Sequence, residues 1–236
     1  MRARRSLAVA TIGAVIGAII GFTGAIASAT SLSSFSNSDM TGALKQALSS
    51  SSLAAVSKLG RPGGFLNDPQ VRIPLPPALE KAQFALRAVG MGAQADQLQV
   101  AMNHAAEQAV PEAKDLLVQA VDNMSVSDAE GILRGGNKSG TAYFQRATEA
   151  SLTKKFEPIV AATVNKIGLA QEYDQFAGKA AQMHLISGQQ ASVSAYVTQE
   201  ALNGLYKIMG DEEASIRQNP AQAGSKLVQS VFGSLK

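Results

Sequence analysis

The chain has no cysteine and no tryptophan, only two histidines, and aromatic residues at just 5% of its 236 positions. Without a thiol there are no disulfides, thiolate metal sites, cysteine nucleophiles or lipids attached through sulfur. Charge is scarce too: Asp, Glu, Lys and Arg make up 17%, too little for a disordered polyelectrolyte. The formal charge of +3 has a local origin. Arg2, Arg4 and Arg5 sit at the N-terminus, and without them the 21 basic residues fall to 18, matching 18 acidic ones. A general nucleic-acid binder carries a basic excess to meet phosphate, so no nucleic-acid partner is expected.

What is present is apolar and small. Hydrophobic residues reach 46%, enough for a core, and the length suits one domain plus an appendage. Alanine dominates, which favours closely packed helices. Residues 1–29 read as a secretory signal. Three arginines precede an uncharged run from Leu7 to Ala27, and Ala25-Ile26-Ala27 and Ala27-Ser28-Ala29 both offer small-x-small cleavage sites. The competing reading is an uncleaved membrane anchor. The run is long enough to span a bilayer, and Gly13, Gly17 and Gly21 recur at four-residue spacing. Arg4-Arg5-Ser6-Leu7 also resembles a twin-arginine signal. Either way the domain is expected outside the cytoplasm, periplasmic or anchored facing the periplasm. Membrane contact is expected only through residues 7–27, if they are kept.

Residues 30–37 are serine-rich and read as a flexible spacer, leaving residues 38–236 as one helical domain. A first helix is expected after Ser38 or Asp39, through Leu44, Leu48 and Val56 to Gly60, weakened in the middle by Ser49–Ser52. Five prolines and two glycines between Arg61 and Pro77 exclude helix there. Val71, Ile73 and Leu75 alternate with Arg72 and Pro74, as in an extended segment laying one face on a core. Pro76 or Pro77 opens the next helix, and Gly90 and Gly92 close it. An apolar stripe then runs from Leu98 through Met102, Ala105, Ala109, Ala113, Leu116 and Ala120 to Met124, about seven helical turns. Pro111 inside it implies a kink or a fresh helix start. Ser125 and Asp128 form a capping box for a short helix that ends at Gly135-Gly136. Further helices follow, with a break expected at Pro158 and a stop at Asn219-Pro220. No strand pair appears. The expected fold is all-α: a multi-helix bundle with a kinked central helix and one proline-rich extended segment.

Several blocks carry a resemblance. Gly64-Phe65 with Val71-Arg72-Ile73-Pro74-Leu75-Pro76, Met102-Asn103-His104-Ala105-Ala106-Glu107, and Met124-Ser125-Val126-Ser127-Asp128-Ala129 with Ile132-Leu133 are followed by Tyr196-Val197-Thr198, then Glu213 with Ile216-Arg217-Asn219-Pro220. In that order, over residues 38 to 234, the chain resembles the bacterial family catalogued as domain of unknown function 4197. His104 departs from the pattern, which has arginine there, and that weakens a catalytic histidine. The resemblance implies an exported helical domain and supplies no activity, catalytic residue or cofactor.

The residues themselves offer few sites. His104 and Glu107, three apart on a helix, suit a metal, but with one other histidine and no cysteine the ligand set is too small. No metal or cofactor is expected. The stretch from Gly135 to Thr141 imitates a phosphate loop but follows a helix and separates its glycine from Lys138 by Asn137, so it reads as a helix stop and start. Glu213 and Arg217 are spaced for a helical ion pair. Tyr143 and Tyr196 suit core packing with the hydroxyl at the surface. No catalytic residue is assigned. Asn103, Glu107 and Lys114 lie at one margin of the apolar stripe, and with Tyr143 they are the candidate ligand-binding residues; hydrogen bonds to a neighbouring helix are the plainer role for that row. The expected function is non-enzymatic binding of an apolar ligand or envelope protein. A hydrolase using Glu107 with a second acid or a metal is the alternative, and a structural envelope component the third reading.

Overall fold

The computed structural model describes residues 35–183, 185 and 187–235. The signal or anchor over 1–29, most of the spacer, and His184 lie outside the described residues.

Among the described residues there are nine α-helices and no strand: α1 Asn37–Leu59, α2 Pro77–Ala88, α3 Gly92–Ala109, α4 Ala113–Asp122, α5 Val126–Arg134, α6 Ser139–Val164, α7 Gly168–Gln182, α8 Val193–Gln218 and α9 Lys226–Gly233. The fold is all-α. Helices α3, α6 and α8 pack on one another, and α1 lies across α4 and α8. Phe65, Phe144 and Phe156 are the largest side chains sealed in the centre.

Helix α1 starts earlier than expected. Its cap is Ser36, not Ser38 or Asp39: the Ser36 hydroxyl accepts from the Asp39 amide at 3.1 Å, while the Asp39 carboxylate accepts the Ser36 amide at 3.2 Å. Aspartate is the better partner three residues into a helix than the cap itself here, because both orphan amides are then satisfied at once. The serine run does not interrupt α1. Ser51 and Ser52 are buried and donate to the Leu48 and Ser49 carbonyls at 3.0 Å each, so their hydroxyls enter the core already paired.

The long apolar stripe is divided between two helices. A 3-10 turn over Val110–Glu112, with Pro111 inside it, separates α3 from α4. Beyond it the buried positions are Ala113, Leu117, Ala120 and Val121, with Leu116 only partly buried. Pro158 behaves differently from the expected break: α6 runs through it from Ser139 to Val164. Proline removes the amide that would bond the Lys154 carbonyl, yet both residues are exposed, on the side of the helix that solvent reaches. Phe156 and Val160 hold the helix to the core on either side.

Residues 60–76 contain no helix. Val71, Ile73 and Leu75 are buried, and Arg72 and Pro74 between them are exposed. This strap lies across α3 and α8, where Gly204 leaves room for Phe65; a Cβ there would come within 2.7 Å of the phenyl ring.

Candidate functional site

Two of the four candidate residues meet at one place. Asn103 is fully buried. Its Oδ1 accepts the Ile73 amide at 2.8 Å, and its Nδ2 donates to the carbonyls of Ile73 at 2.9 Å and Gln99 at 2.8 Å. One turn further along α3, Glu107 Oε1 accepts the amides of Phe65 and Leu66, both at 3.1 Å, and Oε2 lies 2.9 Å from His104 Nδ1. Gly63, at φ 78°, makes the turn that presents these amides. Burial pushes the Glu107 carboxyl up, but hydrogen bonds from His104 and from the amides of Leu66, Phe65 and Gly63 outweigh it and hold the group below its ordinary range. The strap has no sheet to pair with, so these two side chains supply the partners its buried backbone needs.

Lys114 and Tyr143 do not join that pair. Lys114 is exposed on α4. Tyr143, half-buried on α6, donates its hydroxyl to the Ala120 carbonyl at 2.9 Å and packs edge-on against Phe144. The structure thus assembles Asn103 and Glu107 around backbone of the chain itself. Among the described residues no three His, Asp or Glu side chains stand close enough to hold a metal.

Glu213 has a role that the sequence reading missed. Its carboxylate, 4% exposed, accepts the amides of Gly140 at 2.9 Å and Thr141 at 2.8 Å and the Thr141 hydroxyl at 2.9 Å. It therefore fills the anion position at the start of α6 from a different helix. Arg217 pairs with it at 3.0 Å and donates to the Ile132 carbonyl at 2.9 Å. The pair was legible as helical spacing. Its burial was not, because that depends on how α5, α6 and α8 come together.

An open groove lies between α2 and α7, with a volume of about 660 Å³. Leu79 and Leu86 line it from α2, and Leu169, Phe176 and Ala177 from α7. Lys81, Glu172, Tyr173 and Gln190 supply its few polar groups. Helix α2 buries only Leu79, and α7 only Leu169, Ala170 and Ala177, so each helix keeps apolar surface free. Phe84 is 87% exposed and Phe176 76% exposed. Val89, Met183 and Leu185, on the turns that follow these helices, are also exposed. The sequence held a signal for this face: Leu169, Tyr173, Phe176, Ala180 and Met183 form an apolar stripe longer than α7 can bury.

The structure defines a class: an all-α domain with a clamped strap in its core and an apolar groove open to solvent. Over residues 34–233 the chain matches the family model described as protein of unknown function DUF4197, and it belongs to that family. No curated protein and no solved structure matches the chain.

Proposed function

We propose that this protein is a non-catalytic, exported binding domain that holds the hydrocarbon part of an amphiphile in the groove between α2 and α7. The groove carries this reading. Its volume of about 660 Å³ falls in the range of small-molecule sites, roughly 300–1,000 Å³, and such sites share its mostly apolar lining with a few polar groups. The exposed Phe176 in its lining adds apolar surface that a groove-bound chain would cover. A concave groove suits an inserted chain better than a flat protein face. Export rests on the basic start and the apolar run from Leu7 to Ala27; an N-terminal residue at Ser28 or Thr30 in the purified protein would support cleavage.

The hydrolase alternative is less favoured. Glu107 would have to exchange its bonds to Phe65, Leu66 and His104 for a substrate, releasing the strap. Among the described residues no helix is long and apolar enough to cross a membrane. Native mass spectrometry of the protein released from its own envelope tests the proposal. Retention of a single amphiphile per chain supports it, and recovery only as a bare homo-oligomer favours the structural reading instead.

A further inference from the structure

We infer that the amphiphile taken by the α2–α7 groove is a phospholipid whose headgroup carries an ammonium, an ethanolamine phospholipid being the simplest. The inference rests on the groove reading above and adds the chemistry of the head. One carboxylate, Glu172, lines the groove, and a second, Glu80, lies on α2 between the lining residues Leu79 and Lys81. Neither forms an ion pair or a side-chain hydrogen bond among the described residues, and the same is true of Lys81. Tyr173 lines the groove with its hydroxyl already donated to the Gln190 carbonyl at 3.0 Å, so its ring rather than its hydroxyl remains for a ligand.

Tyr196 and Glu200 on α8 belong to the same cluster. Burial pushes the Tyr196 hydroxyl up to about 12, and the charges of Glu200 and Glu80 and the neighbouring Tyr173 push it the same way. Glu80, Glu200 and Tyr173 therefore each lie near Tyr196. Burial also raises the Glu200 carboxyl, against the hydrogen bond from Asn203. Carboxylates beside aromatic rings attract an ammonium twice over, through opposite charge and through the negative face of the ring. Fatty acids and anionic lipids lacking an amine meet the same carboxylates as repulsion, since like charges brought together cost energy. Lys81 is the one cation in the lining, and as a compact point charge it suits a phosphate. A phosphate and an ammonium on one headgroup match this arrangement, with the acyl chain lying along Leu79, Leu86, Leu169 and Phe176.

The test titrates the full folded chain with three amphiphiles of equal chain length, each below its micelle concentration: lysophosphatidylethanolamine, lysophosphatidylglycerol and a neutral alkyl maltoside. The ethanolamine lipid should bind tightest. A Glu80→Gln, Glu172→Gln double variant should bind it about fivefold more weakly, the scale of an exposed ion pair, and lose the preference over the glycerol lipid. Equal binding of the ethanolamine and glycerol lipids by the wild type would overturn the inference, as would a double variant that keeps the preference. Displacement of the lipid by equimolar free phosphoethanolamine would also overturn it. If the maltoside still binds in those cases, the groove reading survives; if no amphiphile binds, the groove reading itself falls.

Discussion

Asn103 and Glu107 work on the backbone of the strap, and the cost of losing them follows from that. Asn103→Leu would leave the amide and carbonyl of Ile73 buried without partners, at about 1–3 kcal/mol for each unsatisfied group. Glu107→Gln removes charge from an acceptor of two amides, and hydrogen bonds to charged groups are worth roughly 1.5–3 kcal/mol. The two variants should therefore unfold earlier in urea. The Glu107 effect also has a pH signature. Its carboxyl is held below its ordinary value of 4.5, so the folded state binds its proton less readily than the unfolded chain. That stability is complete above pH 4.5 and is lost as pH falls through the folded value. The gap between wild type and Glu107→Gln should thus be widest near neutral pH and shrink in acid, as followed by urea unfolding at stepped pH. A gap that stays constant into acid would place the effect elsewhere. The sequence marked both residues as a polar row beside an apolar stripe. It pointed to a neighbouring helix as their partner, because nothing in α3 reveals that a proline-bearing strap crosses it.

At the scale of elements, Glu213 and Arg217 join the start of α6 to the ends of α5 and α8. Removing Glu213 alone leaves the Arg217 guanidinium, only 8% exposed, without its counter-charge, and breaking a buried pair on one side costs about 3–5 kcal/mol. Glu213→Gln should be less severe than Glu213→Ala, since the amide oxygen still accepts from Gly140 or Thr141. The Glu213→Leu, Arg217→Met double variant should be less destabilised than the sum of its single variants, because no charge is then left buried and unpaired. Thermal unfolding of the four proteins of that cycle measures the coupling, and strict additivity would show the pair to be independent. The helices themselves were largely legible. The capping box at Ser125 and Asp128, the glycine stop before α6 and the proline start of α2 all rest on local chemistry that the sequence states directly. Ser36 does not stand out as the cap in the sequence because Ser38 and Asp39 offer the same chemistry two and three residues later. Pro158 was read as a break because proline forbids a hydrogen bond, but whether the freed carbonyl faces core or water depends on tertiary packing.

Across the whole molecule, the tight side is built by α1, α3, α6 and α8, and the groove side by α2 and α7. The apolar stripe of α7 was legible in the sequence, but the groove it forms with α2 was not. Its walls lie about ninety positions apart in the chain, and each wall taken alone reads as an ordinary amphipathic helix. Only the arrangement shows that Phe84 and Phe176 stay exposed among the described residues. Substituting Ala180, which is half-buried in the lining, with tryptophan fills the groove with little intrusion on the core. Titration of wild type and Ala180→Trp with an alkyl maltoside below its micelle concentration is the most direct measurement. Saturable binding of one molecule per wild-type chain, lost in an Ala180→Trp protein of unchanged helicity and stability, is the expected result. No binding, or binding that Ala180→Trp leaves untouched, would contradict a groove that holds an apolar chain.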